Sequence, residues 1–242
     1  MFNIFRKHKP VSNPVRVDIH SHLLPGLDDG VENFEDSLII IKAFERMGYQ
    51  KMITTPHIMS DFYKNSPETI LPVLKELNDF LAGKTTMQIE AAAEYYLDET
   101  FIELLNNGKE GLLTIGNDHV LFETSFMAEP IYLKEAIFKI QSLGLKPIIA
   151  HPERYQYLHN DWDLTMDLFE RGTLFQLNLN SLSGYYSIPV KKMAARLIKS
   201  KMVHFFGSDC HHPNQIEVFE NSLRTPLFNE LALLDLQNNK LH

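Results

Sequence analysis

The sequence has a single cysteine, Cys210, among 242 residues. One thiol cannot form an intrachain disulfide, which excludes the cross-linked frameworks of small secreted domains. No apolar run reaches the roughly 20 residues needed to cross a bilayer, so no transmembrane helix is predicted. The chain also lacks a glycine- or serine-rich linker, a low-complexity tract or a change of composition that would divide it. Its length and 44% hydrophobic content predict a single domain around one large core.

An excess of positive charge is also absent. The formal net charge is −8, which argues against a broad nucleic-acid-binding surface. The N-terminus is locally basic and apolar, but it lacks the long apolar segment and cleavage site of a signal peptide. For residues 1–14 we expect a flexible tail with at most weak contact to an anionic membrane surface. The prediction is a cytoplasmic protein, and its composition is compatible with an oligomer.

Seven short apolar runs predict seven β-strands. Their starts follow one another at intervals of 27 to 36 residues, close to the length of a unit of one strand and one helix. Runs such as residues 147–150 are apolar without alternation, which is typical of parallel strands covered on both faces. The predicted strands are Val15–Ile19, Lys51–Thr55, Met87–Ala92, His119–Thr124, Lys146–Ala150, Leu174–Leu179 and Met202–Gly207.

Helix signals lie between these runs. Asn33 predicts an N-cap, Phe44 lies on the apolar stripe that follows, and Gly48 marks the end. Pro130 suits the first turn of a helix over Ile131–Leu143.

A further helix is expected after Pro189, and the segment after Pro213 predicts a surface helix and tail. Seven strand–helix units in one domain favour a barrel-like α/β fold over an open sheet. In either architecture, functional groups collect at the carboxyl ends of the strands.

Metal-competent side chains follow six of the seven predicted strands. In a strand, residues i and i+2 project to the same side, so His20 and His22 can point as a pair toward one centre. The same holds for Asp209 and His211. The sixth strand, which runs into Asn178, offers no strong ligand. The nine candidate ligands are His20, His22, Asp29, His57, Glu94, Glu123, His151, Asp209 and His211.

Nine ligands exceed the four or five that one zinc ion takes. They suit two or three divalent ions with bridging carboxylates. Mixed imidazole and carboxylate ligands are compatible with Mn, Fe, Co or Zn, of which we favour Mn. Such a site acidifies a metal-bridging water to hydroxide, and adjacent ions hold substrate oxygens and neutralise charge on the leaving group. The series therefore predicts a metal-dependent phosphoester hydrolase.

The order H-x-H, lone His, Glu, Glu, His and D-x-H resembles the polymerase-and-histidinol-phosphatase (PHP) superfamily, and the match extends from Val17 to His212. Closer phrases resemble the bacterial capsule and exopolysaccharide tyrosine-protein phosphatases. They are Asp18-Ile19-His20-Ser21-His22, Ala93-Glu94-Tyr95-Tyr96 and Ala150-His151-Pro152-Glu153-Arg154-Tyr155. The resemblance implies a distorted, TIM-like (β/α)7 barrel, with a PHP-type phosphatase domain over residues 15–242.

The resemblance also implies a role for each candidate. A first ion would be held by His20, His22, Glu94 and Asp209. A second would be held by Glu94, Glu123 and His151. A third would be held largely by Asp29, His57 and His211. Glu94 would bridge two ions and hold the attacking water, and Arg154 would bind the phosphoryl group.

The chain departs from the family pattern at one point. Those phosphatases usually carry an arginine shortly after the final D-x-H, where it contacts phosphate. Here the sequence continues Cys210-His211-His212-Pro213-Asn214-Gln215-Ile216. His212 is one candidate replacement, and the substitution bears on phosphate affinity more than on the metals.

Other residues near the motifs are expected to support the site. Asp18 suits a group that hydrogen-bonds a histidine better than a ligand. Either Asp28 or Asp29 could be the ligand; the resemblance favours Asp29 and leaves Asp28 as a turn residue. Arg154 could instead pair with a nearby acid such as Glu153.

The aromatic residues and the cysteine are less specific. Tyr95 and Tyr96 either pack at the rim or stack on an aromatic leaving group, and both interpretations stay open. Cys210 is expected to be a small buried filler that faces away from Asp209 and His211, because side chains alternate along a strand. No C-x5-R phosphatase loop is present, so a cysteine nucleophile is not predicted.

Together these features predict a metal-dependent protein-tyrosine phosphatase, acting on a tyrosine kinase of capsule or exopolysaccharide synthesis. Mostly short loops after the strands favour an open mouth that admits a protein substrate. One alternative is a small-molecule phosphatase of the histidinol-phosphate type, or a phosphodiesterase of the same superfamily. The other is a non-enzymatic metal-binding module in polysaccharide assembly.

Overall fold

The computed structural model describes residues 13–241, in which strands and helices alternate. The strands are β1 (Val17–Asp18), β2 (Lys51–Thr54), β3 (His57–Ile58), β4 (Gln88–Ala91), β5 (Glu94–Tyr96), β6 (His119–Glu123), β7 (Lys146–Ala150), β8 (Leu174–Asn178) and β9 (Phe205–Gly207). The α-helices are α1 (Phe34–Arg46), α2 (Pro67–Leu81), α3 (Glu99–Asn106), α4 (Leu133–Ser142), α5 (Gln156–Asn160), α6 (Trp162–Glu170), α7 (Ile188–Lys199), α8 (Ile216–Ser222) and α9 (Pro226–Leu231).

The strands form two parallel sheets, in the orders β1-β2-β4 and β3-β5-β6-β7-β8-β9. Each predicted strand corresponds to an observed one, so the prediction of an α/β fold with parallel strands is confirmed.

Two strand ends were predicted incorrectly. The residues after β2 and after β4 leave the first sheet, and β3 and β5 pair with each other in the second, with His57 opposite Glu94. Pro56 precedes β3 and has no N–H to donate to a continuing ladder. Because the chain passes from the first sheet to the second at these two points, the candidate ligands His57 and Glu94 lie opposite each other on neighbouring strands.

The chain just beyond β1 lies against the chain just beyond β9. Ser21 and Cys210 form a parallel bridge, and the Asp209 N–H donates to the His20 carbonyl at 2.8 Å. On the other side, the Thr55 N–H donates to the Ser21 carbonyl at 2.7 Å. Two ligand-bearing segments far apart in sequence are thereby fixed side by side.

The apolar core has two parts. The larger packs the helices against the strands and includes Phe44 of α1 and Leu168 of α6. The smaller consists mainly of strand residues such as Ile53, Leu121 and Ile148. Since side chains alternate along a strand, each strand can contribute to both clusters, and this explains runs that are apolar without alternation.

The helix signals were largely correct. Asn33 Oδ1 accepts a hydrogen bond from the Asp36 N–H at 2.9 Å, and Gly48 ends the segment after α1 with φ +95°. The predicted start of α4 was wrong: the helix begins two residues later, and Ile131 is 95% exposed. Pro130 instead belongs to the preceding turn, where its carbonyl accepts from the Leu133 N–H at 3.1 Å.

The segment after Pro213 is not a mere surface helix and tail. Helices α8 and α9 bury Phe219 and Phe228. Asn238 is fully buried, donating to the Val17 and Phe206 carbonyls at 2.9 and 2.7 Å. The C-terminal segment therefore joins β1 to β9 at the end of the strands opposite the candidate ligands.

The predicted N-terminal tail lies outside the described residues except for two of its members. Asn13 is buried, and its Oδ1 accepts from the Val15 N–H at 3.0 Å. The Pro14 carbonyl accepts from Asn239 Nδ2 at 2.8 Å. These two residues therefore contact the described fold. Within residues 13–241, no helix combines the length and apolarity required to span a membrane.

Candidate metal centre

All nine candidate ligands converge where the strands end. Four overlapping triads each place their ligand atoms within 4.8 Å of one another. The triads are His22, His57 and His211; His20, His22 and Glu94; His20, His151 and Asp209; and His57, Glu94 and Glu123. The ninth candidate, Asp29, has Oδ1 3.6 Å from Nε2 of both His57 and His211.

Glu94 lies at the centre of this cluster and is fully buried. Its Oε2 is 3.0 Å from His20 Nε2 and 3.2 Å from His57 Nδ1. Its other oxygen, Oε1, is 3.1 Å from His151 Nε2. Two oxygens of one carboxylate thus face different sets of imidazoles, which is the arrangement that a bridging carboxylate requires.

The histidines at the start of the series have their Nδ1 hydrogens engaged elsewhere. His20 Nδ1 donates to Gln176 Oε1 at 2.8 Å, and His22 Nδ1 donates to Asp28 Oδ2 at 2.7 Å. Their Nε2 atoms face each other at 3.4 Å. In the neutral rings both Nε2 atoms carry lone pairs, so a cation between them satisfies both. The donor set therefore fits divalent metal ions.

The electrostatics of the cluster favour positive charge. Burial by itself lowers the pKa of His20, but the Glu94 and Asp209 carboxylates raise it to about 9. Burial would raise the pKa of Glu94, yet His20 and His57 hold it well below its usual range. By contrast, burial and neighbouring His22 lower the pKa of His211 to about 4. Buried carboxylates so arranged attract cations, whether protons or metal ions.

Two of the candidate ligands have a strained backbone. His151 has φ 33° and Asp209 has φ 53°. These are two of the three non-glycine residues with positive φ in residues 13–241. Left-handed conformations at such residues persist only where the surroundings impose them, and they concentrate at functional sites. His151 directly follows β7 and Asp209 lies two residues after β9, and with this backbone conformation both side chains face the cluster.

Arg154 lies beside the candidate ligands, in the turn after β7. Its Nη1 is 3.0 Å from Asp209 Oδ2, so its acidic partner is Asp209 and not Glu153. The guanidinium lies between two aromatic rings, 4.6 Å from the centroid of Phe126 and 4.4 Å from that of Tyr186. These contacts fix a planar donor group, 24% exposed, at the edge of the cluster.

The sequence did not indicate the supporting amides of β8. Gln176 accepts from His20, and Asn178 Nδ2 donates to Asp209 Oδ2 at 2.6 Å. Gln176 Nε2 also donates to Asn178 Oδ1 at 2.8 Å. The usable signal was two polar residues, at i and i+2, in an otherwise apolar strand. They project to one side and must find partners when buried.

The three aspartates near His20 and His22 in the sequence differ in position. Asp28 hydrogen-bonds His22 and also accepts from the His57 N–H at 3.0 Å, so it is more than a turn residue. Asp29 is 59% exposed and faces His57 and His211. Asp18 contacts Ser208, whose N–H and hydroxyl donate to it at 2.8 and 2.7 Å. Asp18 also accepts a hydrogen bond from the His20 backbone N–H, so its contact with a histidine is through the main chain.

The remaining candidates separate into core and rim. Tyr95 is fully buried, and its hydroxyl accepts from the Leu113 N–H at 2.7 Å, so it cannot lie at the rim. Tyr96 is half-buried and lies opposite Glu123 in the sheet. Cys210 is buried, as expected of a small filler. His212 is exposed, and its ring centroid is 6.4 Å from that of His211.

Residues 16–218 match the family model described as capsular polysaccharide synthesis, CpsB/CapC. The chain is 30% identical over 205 residues to the tyrosine-protein phosphatase YwqE of Bacillus subtilis, covering 81% of this chain and 77% of that one. It is 28% identical over 231 residues to the putative tyrosine-protein phosphatase CapC of Staphylococcus aureus, covering 93% and 90%.

Among solved structures, those described as YwqE from Bacillus subtilis and CpsB from Streptococcus pneumoniae, unique metal-dependent tyrosine phosphatases, match with a TM-score of 0.76. The identity is 29%, over 92% of this chain and 94% of the matched chain. The resemblance seen in the motifs is confirmed, and the chain belongs to the CpsB/CapC family of capsular polysaccharide synthesis.

Proposed function

We propose that this protein is a metal-dependent protein-tyrosine phosphatase of capsule or exopolysaccharide synthesis, with a phosphorylated tyrosine kinase as its substrate. The observation that carries the proposal is the convergence of nine imidazole and carboxylate ligands with one guanidinium at their edge. Relatives named as tyrosine-protein phosphatases support the choice of phosphotyrosine.

The ligand set supports two or three divalent ions, with Mn as first choice and Fe, Co or Zn as alternatives. Glu94 would bridge, and the other ligands would divide among the positions as the four triads suggest. Bound ions would acidify a water molecule and neutralise charge on the phosphoryl oxygens.

The protein's own groups supply orientation. Arg154 presents a planar fork that suits two phosphoryl oxygens, and its aromatic neighbours hold that fork in place. Gln176 and Asp28 set the tautomers of His20 and His22, so that both Nε2 atoms face inward. Such pre-set geometry lowers the reorganisation needed in the transition state.

A phenolic leaving group suits this arrangement. The pKa of tyrosine is about 10, so a phenolate departs with less help from a proton donor than an alkoxide does. Access is from the solvent side, where Asp29, His57, His211 and Arg154 are 59%, 13%, 18% and 24% exposed. An entrance at this edge supports a tyrosine side chain presented by a protein.

The parallel strands and the Ser21–Cys210 bridge support a distorted (β/α)7 barrel as the architecture. We infer that residues 15–242 act as one catalytic domain, since the larger core cluster draws on helices from α1 to α9. A buried free cysteine suits the reducing cytoplasm, our proposed location.

The test is hydrolysis by protein supplied with Mn²⁺, measured on a phosphotyrosine peptide, the matching phosphoserine peptide, histidinol phosphate and a bis-aryl phosphodiester. We expect the phosphotyrosine peptide to be preferred. The Glu94→Gln variant should lose bound metal and at least about 100-fold in kcat/KM. Glu90→Gln, at an exposed residue of β4, is the matched control.

Preference for histidinol phosphate or the diester would replace the proposed substrate while keeping the metal chemistry. Bound metal without hydrolysis of any substrate would instead support a non-enzymatic metal-binding module. Equal loss of activity in Glu94→Gln and Glu90→Gln would contradict the central role of Glu94.

A further inference from the structure

Two adjoining surface cavities lie beside Arg154, along α7. The first, of about 300 Å³, is lined by Arg154, His159 and the beginning of α7. The second, of about 240 Å³, is lined by His159, Lys192 and Arg196. They share His159 and Pro189 and form one depression, which we call the α7 groove. The groove starts at the edge of the metal centre, because Arg154 contacts Asp209 as well as the first cavity.

The α7 groove is basic within an acidic protein. Its lining includes Arg154, His159, Lys192 and Arg196, and no aspartate or glutamate of residues 13–241 lines either cavity. Within the same residues, neither Lys192 nor Arg196 forms an ion pair with a carboxylate. Since the chain has a net charge of −8, unneutralised cations gathered in one place indicate an acidic binding partner.

The backbone adds to this charge. The first cavity includes Ser187, the N-cap of α7, and Val190 of its first turn. The start of a 12-residue helix carries a partial positive charge from its aligned peptide dipoles. The dipole and the side-chain cations therefore favour the same kind of ligand.

The groove also has a defined length and shape. Pro189, Lys192 and Arg196 are spaced three and four residues apart and share one face of α7. From Pro189 to Arg196 the helix rises about 10 Å, which equals about three residues of extended peptide. The Arg196 guanidinium lies 3.5 Å from the centroid of Trp162, and His159 Nε2 donates to the Glu153 carbonyl at 2.6 Å. Arg196 is therefore positioned by stacking on Trp162, and His159 by its hydrogen bond to Glu153.

We propose that the α7 groove binds acidic residues that flank the phosphotyrosine in the protein substrate. The inference rests on the proposed function and adds a substrate preference to it. With the phosphoryl group at Arg154, a chain continuing along α7 would bring residues about three to five positions away past Lys192 and Arg196. Carboxylates there would meet two cations, Lys192 and Arg196, that form no ion pair with a carboxylate within residues 13–241.

The experiment compares three phosphotyrosine peptides of one length. In the first, two glutamates lie three to five positions from the phosphotyrosine, tested on each side. In the second peptide, glutamines replace the two glutamates. In the third, a second phosphotyrosine replaces them. Initial rates with Mn²⁺ give kcat and KM for each, and p-nitrophenyl phosphate reports the metal centre alone. For the wild-type protein we expect a lower KM for the glutamate peptide than for the glutamine peptide.

The variant is Lys192→Gln with Arg196→Gln. It should raise KM for the glutamate peptide about three- to tenfold, as expected for the loss of two exposed ion pairs. Its kinetics on p-nitrophenyl phosphate and on the glutamine peptide should not change. The matched control is Lys191→Gln with Lys199→Gln, which removes the same charge from the same helix outside the groove. Lys192→Arg with Arg196→Lys keeps the charge and should keep the low KM.

Equal KM values for the glutamate and glutamine peptides, or an equal effect of the control pair, would overturn the groove while leaving the phosphatase proposal intact. A response to the second phosphotyrosine alone would replace carboxylates by phosphate as the ligand and would reject the proposal as stated. No hydrolysis of any peptide by the wild type, with p-nitrophenyl phosphate still hydrolysed, would overturn both the groove and the protein-substrate proposal.

Discussion

Gln176 Oε1 accepts a hydrogen bond from His20 Nδ1 at 2.8 Å, at full burial. This contact fixes the ring so that Nε2 faces Glu94. We expect Gln176→Met, which keeps the length of the side chain but removes the acceptor, to weaken metal binding by about 10- to 100-fold. Competition with a chelator, followed by elemental analysis, measures the change.

Gln141→Met serves as the control, because Gln141 is exposed and its amide donates to the Arg171 carbonyl, outside the cluster of candidate ligands. Metal retention by Gln176→Met equal to that of the wild type would show that the tautomer of His20 is set by something else.

Arg154→Lys should raise KM for a phosphotyrosine peptide by about 10- to 100-fold while leaving bound metal unchanged. The lysine keeps the charge but loses the planar fork and the stacking between Phe126 and Tyr186. Steady-state kinetics and elemental analysis of the same preparation separate the two effects.

For comparison, Arg171→Lys alters an exposed arginine that pairs with Asp167 on α6, and should leave KM unchanged. If Arg154→Lys instead loses metal with no change in KM, its guanidinium serves Asp209 and not the substrate.

Asp18 gives a prediction about pH. Burial raises the pKa of its carboxyl from 3.8 to about 7, although Ser208 donates two hydrogen bonds to it. The folded state therefore binds a proton more tightly than the unfolded chain between about pH 4 and pH 7, and stability falls as pH rises through that window. Asp18→Asn has no charge to bury. The free energy of unfolding of this variant, measured relative to that of the wild type, should therefore rise by about 2–3 kcal/mol from pH 5 to pH 8.

Urea unfolding of chelator-treated protein at both pH values measures this difference. Asp167→Asn is the control with the opposite shift: Arg171 and Lys134 lower the pKa of Asp167 to about 2. The ionised Asp167 carboxylate stops contributing to stability only as pH falls below about 4. The free energy of unfolding of Asp167→Asn should therefore differ from that of the wild type by the same amount at pH 5 and at pH 8. A constant difference for Asp18→Asn as well would refute a buried, titrating Asp18.

Asn238→Ala should lower the free energy of unfolding by about 3 kcal/mol. The change leaves the Val17 carbonyl and both backbone groups of Phe206 without their partner inside the fold. Urea unfolding reports the loss. Asn239→Ala removes two exposed hydrogen bonds, to Pro14 and Arg16, and should cost less than about 1 kcal/mol. Similar losses for both variants would mean that the contacts of Asn238 contribute no more than surface ones.

The sequence predicted strands and ligands where local pattern and chemistry agree. Parallel strands covered on both faces produce apolar runs such as residues 147–150, and the residues directly after them are confined to one edge. The crossing of the chain at Pro56 into the second sheet could not be predicted, because it depends on the pairing of β3 with β5. Spacing along one chain contains no information about that pairing.

Supporting residues were missed for a related reason. Gln176 and Asn178 have amide side chains, so a search for imidazoles and carboxylates passes over β8. Asn238 lies among polar residues without periodicity, and only its contacts with β1 and β9 show that it is buried. Ser208, which donates two hydrogen bonds to Asp18, lies 190 residues away, so this contact could not be inferred from local pattern.

The Val17–Asn238 contact also has a consequence for the order of synthesis. Those two residues are 221 positions apart. The strands of the second sheet, β3-β5-β6-β7-β8-β9, lie side by side in the order in which they are made, so that sheet can extend as the chain emerges. Strand β1, by contrast, gains its contact with Asn238 only after β9 and the helices that follow it have been made. The earliest strand of the described fold is therefore among the last to be completed, and a chain interrupted before Asn238 lacks the contact that joins β1 to β9.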